Sequence, residues 1–331
     1  MKLDLQQRLR ARPPRRVLVI QTAYLGDTVF TSALVGALAR RWAVDLCVAL
    51  RSRDVARAIP GVGQVHVFDK TGADRGLSGL RRMAARLAGY DLAVLPHRSL
   101  RTALLAWLAH VPERVGFAGS LPALLYTERV HTSEKAFLRQ EADLARALGV
   151  EPGPMLLRPL PEWIASARAA LGTSDKLAAL CVGSEWETKI WPIGRMAALA
   201  RLLEARGLRP VLLGGPREKA LAAQIPGCID TTGNPVGEAL AIISMSALCI
   251  GGDTGLVHAA RALGVPTVAL FGPTDPGAHD FAPRQRAVSL GLSCSPCTAH
   301  GSRRCPLGHH RCMRDLDEQR VLSACETVLG A

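Results

Sequence analysis

Short β-branched apolar runs alternate with longer stretches of helical spacing along almost the whole chain. In the first half, Val17–Gln21, Val44–Ala49, Val65–Phe68 and Leu92–Leu95 read as strands, with a shorter one near Val115. Helical spacing marks Thr28–Arg41, Leu77–Ala88, Ser99–Ala109 and Glu134–Leu148. Strands that alternate with helices pair in parallel, with helices on both faces of the sheet. The segment Gly149–Pro161 holds four prolines and two glycines and reads as a linker between domains. Beyond it the alternation restarts, with strands at Leu177–Cys181, Pro210–Leu213, Leu248–Ile250 and Thr267–Leu270. The helices expected there are Ile193–Ala205, Arg217–Gln224, Gly237–Ser244 and Thr254–Leu263, and a last one near Asp317–Leu329 follows a Cys-rich loop, 294–312. The pattern predicts an α/β protein of two Rossmann-like, doubly wound domains, 1–155 and 156–331, facing a central cleft. Open α/β sheets bind ligands at the carboxyl ends of their strands, so that cleft is the expected site.

The 331 residues suffice for two cores, and with aromatics at only 4% those cores must rest on Leu, Val, Ile and Ala. The longest apolar stretch, Ala239–Gly251, is short for a membrane span. Met1–Arg16 is basic but lacks the apolar segment of a signal peptide, so a cytoplasmic protein is expected. The net charge of +13 is uneven: residues 1–150 hold 23 Lys and Arg against 12 Asp and Glu, whereas 151–331 hold 18 against 16. A first half of +11 suits a polyanionic partner or a plain solvated basic surface. No zinc-finger helix, aromatic RNA-stacking motif or basic-zipper region accompanies it, and no nucleic-acid partner is expected.

The first strand runs into Thr22-Ala23-Tyr24-Leu25-Gly26-Asp27-Thr28, which lacks the G-x-G-x-x-G of nicotinamide and flavin sites. Asp27 or Thr28 can serve there as a helix cap; a carboxylate at this edge can equally face the cleft as an acid or base. Three loops at strand ends in the second half carry more chemistry. One places Ser184, Thr188 and Lys189 ahead of a helix, a hydroxyl-flanked lysine suited to phosphate oxygens or to solvent. Another, Gly214-Gly215-Pro216-Arg217-Glu218, permits close backbone approach to a ligand and offers Glu218 to ribose hydroxyls or to the helix dipole. The third, Gly251-Gly252-Asp253-Thr254-Gly255 with His258 one turn on, puts a helix N-terminus where a diphosphate can sit. Together the three favour a nucleotide diphosphate over three unrelated caps.

These residues resemble a known family. The runs RRVLVIQTAYLGDTVFTSALVGAL, TKIWP, LLGGPREKALA and GGDTGLVHAARALGVPTVALFGPTDP are similar to glycosyltransferase family nine, the heptosyltransferases of lipopolysaccharide core synthesis. Leu95–Arg101 and the Cys-rich tail most resemble the branch that adds the second heptose. The resemblance implies a GT-B fold, an acceptor on the first domain and ADP-heptose on the second. It implies Asp27 as base, Lys189, Glu218, Asp253, Thr254, Gly255 and His258 as donor contacts, and Ser184 and Thr188 less directly. Inverting transfer follows, with no metal required for catalysis, because Lys189 and a helix N-terminus can carry the leaving charge. Kdo-containing lipid A inner core is polyanionic and would suit the first domain, with Arg98 and Arg101 as acceptor contacts. Lys2, Arg8, Arg10, Arg12, Arg15 and Arg16 are then available to an anionic inner membrane, making the protein peripheral there.

Cys294-x2-Cys297-x7-Cys305-x6-Cys312 carries metal-ligand spacing beside His300, His309 and His310. A structural zinc is one reading, an iron–sulfur cluster another and unligated thiols the third. The remaining cysteines, Cys47, Cys181, Cys228, Cys249 and Cys325, read as small core residues. Asp315-Leu316-Asp317 reads as a helix cap and not as a metal-binding Asp-x-Asp. Two rivals remain: a related nucleotide-sugar enzyme such as an epimerase, which would consume donor alone, and a non-catalytic nucleotide-sugar or lipopolysaccharide-binding protein.

Overall fold

The computed structural model describes residues 4–172 and 175–330. The first unit contains α1 (Leu5–Ala11), β1 (Arg16–Gln21), α2 (Leu25–Ala39), β2 (Ala43–Ala49), α3 (Arg53–Arg57), β3 (Val62–Phe68) and α4 (Gly76–Arg86). It continues with β4 (Leu92–Leu95), α5 (Leu100–Leu108), β5 (Glu113–Phe117), β6 (Glu128–Val130) and α6 (Phe137–Ala147). The second contains α7 (Pro161–Leu171), β7 (Leu177–Cys181), α8 (Ile193–Glu204), β8 (Arg209–Leu213), α9 (Lys219–Ala222), β9 (Ile229–Asp230) and α10 (Val236–Met245). After these come β10 (Ser246–Gly252), α11 (Gly255–Ala262), β11 (Thr267–Leu270), β12 (Gln285–Val288), α12 (Arg311–Arg314) and α13 (Glu318–Gly330).

Each unit has a six-stranded sheet, in the orders β3-β2-β1-β4-β5-β6 and β9-β8-β7-β10-β11-β12. Every pairing is parallel. Strand order reverses between β1 and β4 in one sheet and between β7 and β10 in the other. Connections diverge to opposite faces at such a point and leave a crevice at the carboxyl ends of the two strands. The central strands are apolar over their middle residues, 17–20 and Leu92–Leu95 in one sheet and Leu177–Cys181 and 247–250 in the other, because helices cover both their faces. In the second unit the period of two sorts the strand residues cleanly. Ala178, Leu180, Leu248 and Ile250 face the core formed with Met196, Leu199 and Val321. Leu177, Ala179, Cys181 and Cys249 face the one formed with Ile242, Val257 and Ala260.

The units meet at Arg158 and Pro159. The expected boundary at 155/156 falls short because the Leu156 N–H donates to Ser32 Oγ at 3.1 Å and the Arg158 N–H to the Ala58 carbonyl at 2.7 Å. Several elements escaped the sequence reading. β6 and β9 are too short to show a period, and α7 opens on Pro161, which looked like linker but is the first helical residue. The single helix expected over Arg217–Gln224 is a 3-10 turn, Pro216–Glu218, followed by α9.

The N-terminal basic segment also differs from expectation. It forms α1, capped by Asp4, with Leu5 and Leu9 buried. Arg8 pairs with Glu113 at 3.1 Å and with Glu128 at 3.2 Å, and Arg16 donates to Asp45 and to Tyr90. Those two arginines are therefore held by the first unit, whereas Arg10, Arg12 and Arg15 are exposed. Lys2 lies outside the described residues. Among the described residues, no helix is long and apolar enough to cross a membrane.

Candidate active site

In the second unit, the loops after β7 and β10 flank the switch point, and their side chains meet. Lys189 Nζ lies 2.6 Å from Asp253 Oδ2, with both side chains largely buried. Glycines make the approach possible. A Cβ on Gly252 would stand 2.2 Å from the Lys189 carbonyl oxygen, and one on Gly251 would stand 2.6 Å from Cys181 Cβ. Asp253 gathers two more donors: Thr274 Oγ1 to Oδ2 at 2.8 Å and His258 Nε2 to Oδ1 at 2.8 Å. Burial would raise the Asp253 pKa, but the His258 hydrogen bond and the nearby cationic charge hold it far below the usual carboxylate range.

The tautomer of His258 follows from its neighbours. Arg261 Nη1 sits 3.1 Å from His258 Nδ1, and a guanidinium can only donate. His258 therefore accepts at Nδ1 and carries its proton on Nε2, toward Asp253. Burial lowers its pKa, consistent with a neutral ring. His279 stacks on it at 4.7 Å and is pushed by burial and by its neighbours down to about 3. Asp253, His258 and His279 also form the one group among the described residues whose potential metal-ligand atoms all lie within 4.8 Å of one another. Lys189 and Arg261 already occupy that group, and two fixed cations oppose a third charge there.

Thr254 caps α11, and Gly255 is its first residue. The first N–H groups of a helix have no intrahelical partner. Thr254 Oγ1 is buried and without a hydrogen-bond partner among the described residues. Lys189, through Asp253, and the Thr254 hydroxyl are thus held at consecutive residues ahead of α11. Glu218 lies across the ends of β7 and β8: a Cβ on Gly183 would stand 2.1 Å from its Cγ, and one on Gly214 would stand 2.7 Å from its Cβ. Ser184 Oγ accepts from the Trp186 N–H at 3.2 Å.

Thr188 departs from the sequence expectation. Its hydroxyl donates to the Ser302 carbonyl at 2.8 Å and accepts from the Ser302 N–H at 2.9 Å, so both roles are filled within the protein. It fastens the Cys-rich loop to the Lys189 turn, and His310 Nε2 does the same from 2.8 Å at the Thr188 carbonyl.

In the first unit, Asp27 occupies the third position of α2, because the helix begins at Leu25 with Tyr24 as N-cap. Its Oδ2 accepts the Tyr24 N–H at 2.9 Å. Oδ1 makes no hydrogen bond among the described residues. A cationic group surrounds this strand edge. Lys70 Nζ donates to the Thr22 carbonyl at 2.8 Å; burial lowers its pKa, as do the charges of Arg51 and Arg101. Arg98 donates to Gln140 Oε1 at 3.0 Å and lies 4.3 Å over the Phe117 ring.

The model of glycosyltransferase family 9 (heptosyltransferase) matches residues 80–307. The chain belongs to that family. Among its relatives, lipopolysaccharide heptosyltransferase 2 of Salmonella typhimurium is 27% identical over 95% of this chain and 99% of its own length. Lipopolysaccharide heptosyltransferase 1 of Pseudomonas aeruginosa is 29% identical over 96% and 98%. The crystal structure of the glycosyl transferase family 9 from Veillonella parvula superposes with a TM-score of 0.84 at 23% identity, covering 99% of this chain and 98% of that one. The chain is thus a glycosyltransferase of family 9, with the α/β, GT-B type fold.

Within this family 9 enzyme, sequence reasoning missed Thr274, Arg261 and His279 around Asp253, and Lys70 and Arg51 near Asp27. Thr274 stands inside the GPTDP run, but nothing in the spacing shows that its hydroxyl turns back to a residue 21 positions earlier. Of the five cysteines assigned to cores, Cys228 is half-buried and the other four are buried. Asp317 accepts the Arg320 N–H at 2.8 Å at the start of α13, as a cap does.

The Cys-rich loop closes on the site from behind. The Cys297 and Thr298 N–H groups donate to the Pro273 carbonyl at 2.9 and 3.1 Å, and Ser295 Oγ donates to the Gly272 carbonyl. Burial raises the pKa of the Cys297 and Cys312 thiols, and their neighbours add to it: Cys294 and Cys305 act on Cys297, and Cys294, Cys297 and Cys305 act on Cys312. They are spread more widely than the Asp253 group. The Cys305 sulfur faces the N–H groups of residues 307–310, which lower its pKa against the effect of burial.

Proposed function

We propose that this enzyme moves heptose from ADP-heptose onto the Kdo-containing lipid A inner core of lipopolysaccharide, with Asp27 as the base of an inverting transfer. The observation that carries the donor side is Lys189, held on Asp253, beside a Thr254 hydroxyl that has no hydrogen-bond partner among the described residues, at the N-terminus of α11 and the β7/β10 switch point. A diphosphate fits this set: N–H donors, one hydroxyl and one ammonium, all fixed before the charge arrives. Glu218, held across the glycines of β7 and β8, suits the ribose hydroxyls. Asp253 and His258 act from behind by orienting Lys189, and Ser184 lines the same turn.

On the acceptor side, Arg51 and Arg101 lie near Lys70, which is tied to the strand end before Asp27, and with Arg98 they offer several cations to a polyanionic acceptor. Asp27 Oδ1 takes the proton of the acceptor hydroxyl, whose oxygen attacks the anomeric carbon as the bond to ADP breaks. Charge grows on the departing diphosphate, where Lys189 and α11 meet it. Addition of the second heptose is favoured by Leu95–Arg101 and the Cys-rich tail. Arg10, Arg12 and Arg15 are the exposed cations offered to an anionic membrane surface.

The four cysteines suit a structural divalent metal by donor type, and zinc is the choice for thiolates. It would cross-link the loop that holds Thr188 and Pro273 and has no part in the chemical steps.

One substitution tests the base. Asp27→Asn keeps an oxygen for the Tyr24 N–H but cannot take a proton. Folding and donor binding should survive while transfer drops by about 10²–10⁴-fold, the usual contribution of a positioned base. Near-normal turnover would leave Asp27 as a helix-start residue only. Incubating the enzyme with ADP-heptose and acceptors carrying no heptose or one heptose, then weighing the products, decides which addition it performs. Donor consumed without acceptor would point to an epimerase-like reaction instead, and binding without turnover to a non-catalytic protein.

A further inference from the structure

Behind the Asp27 turn lies a carboxyl group that the mechanism above does not use. Glu141, on α6, is only 6% exposed, and α6 packs along α2. Its Oε1 stands 2.8 Å from Thr31 Oγ1, and Thr31 lies one helical turn from Asp27 on the same face of α2. Two other contacts meet at that hydroxyl. Gln21 Nε2, from the end of β1, donates to it at 3.2 Å, and the hydroxyl itself lies 2.9 Å from the Asp27 carbonyl oxygen.

A threonine hydroxyl has one proton to give. Were Glu141 ionised, its Oε1 and the Asp27 carbonyl would compete for that proton. Its Oε2, buried and without a partner among the described residues, would share an unpaired charge. With the proton on Glu141 Oε1, every role is filled once. Glu141 and Gln21 donate to Thr31, and Thr31 donates to Asp27.

We propose that Glu141 is a positioning residue that works as a neutral carboxylic acid, donating a hydrogen bond to Thr31 and so fixing the turn of α2 that carries Asp27. The inference rests on Asp27 being the base, and Glu141 itself passes no proton to substrate. Burial, reinforced by the Asp27 charge, pushes its pKa up to about 8, against the hydrogen bond that Thr31 would give to the ionised form. Asp27 is the charged group that faces it from α2. On β5 and β6, Glu113 and Glu128 are paired with Arg8, and Arg114 and Arg129 bond backbone carbonyls. Raising the pH through this range ionises Glu141, turns the Thr31 proton away from Asp27 and sets a second negative charge beside the base.

Two measurements on wild type and Glu141→Gln test this, since glutamine reproduces the neutral donor and has no proton to lose. The folded-state pKa is raised, so the stability Glu141 contributes is complete below its unfolded value near 4.5 and is lost as the pH rises toward 8. The melting temperature of wild type should therefore fall relative to the variant between those values. In heptosyl transfer, wild-type kcat should lose about tenfold by one unit above the Glu141 pKa, while the variant stays level within about twofold.

Parallel melting curves would show that Glu141 is not held neutral, and an equal alkaline loss in both proteins would show that it does not position the base; either overturns the proposal. Should Glu141→Gln not fold, Thr31→Ser must keep the wild-type pH profile and Thr31→Val must lower kcat at every pH; equal activity of that pair overturns it as well. A fully active Asp27→Asn protein removes the base reading, yet leaves the melting-curve difference at Glu141 standing, so the two failures are distinguishable.

Discussion

Replacing Lys189 by alanine should weaken both the fold and the donor site, and the structure separates the two effects. In the free enzyme the lysine is 11% exposed and its partner Asp253 is 7% exposed, so the substitution leaves a buried carboxylate short of its cation. Removing one partner of a buried pair costs about 3–5 kcal/mol. Thr274 and His258 remain on Asp253, which places the expected loss at the lower end, about 3 kcal/mol. For a unit of this size that corresponds to a melting temperature lower by roughly 6–12 °C. Binding should fall separately, because a charge-assisted bond to the diphosphate is worth about 1.5–3 kcal/mol, or roughly 10–150-fold in ADP affinity. The rate should fall too, by about 10²-fold, since the ammonium meets charge that grows as ADP leaves. Calorimetric titration with ADP and single-turnover transfer measure these terms. Thr274→Val supplies the control: it also removes a donor from Asp253 but has no place at the diphosphate, so it should cost about 1 kcal/mol of stability with a much smaller change in ADP affinity. A Lys189→Ala protein that binds ADP as wild type does, or a Thr274→Val protein that loses ADP binding equally, would refute the assignment of Lys189 to the leaving group.

The remaining predictions are briefer. His279 has a folded-state pKa lowered to about 3, so the stability its neutral form provides is complete above pH 6.5 and is lost as the pH falls toward 3; His279→Gln should flatten the melting-temperature slope over that window. Asp253, whose pKa is depressed, contributes above its unfolded value, and its share is lost only in stronger acid, so Asp253→Asn should change the slope below about pH 4 instead. Protein purified without chelator should carry about one equivalent of zinc, and a metal-free, folded and active enzyme would leave the four cysteines as plain thiols. Affinity for an anionic acceptor or lipid surface should weaken with salt as charges of the first half are screened beyond about 8 Å; a salt-independent KM would make its +11 a solubility feature.

The sequence alone determined the two α/β halves, because strands buried on both faces must be apolar and the helices between them must carry a 3.6-residue period. It also marked the Gly-Asp turn and the three glycine-bearing loops, since a backbone that a ligand or another chain segment approaches closely excludes a Cβ. The glycines at 251 and 252 show the limit of that signal: the sequence says that something comes near, and only the structure shows that it is the Lys189 turn. What the fold decided is which loops meet. Lys189 and Asp253 are 64 positions apart and become partners because the strand order 3-2-1-4-5-6 sets the first and fourth strands side by side. The same holds for Glu141, an unremarked acid on an amphipathic helix, which lies 110 positions from Thr31 and joins the Asp27 turn only because α6 packs along α2. Thr188 shows the same limit: a hydroxyl beside a phosphate-suited lysine reads as a ligand, and only the structure shows that its proton goes to the Ser302 carbonyl of the Cys-rich loop. Local chemistry sets what each residue can do, and parallel topology, which pairs residues far apart in sequence, sets what it does it with.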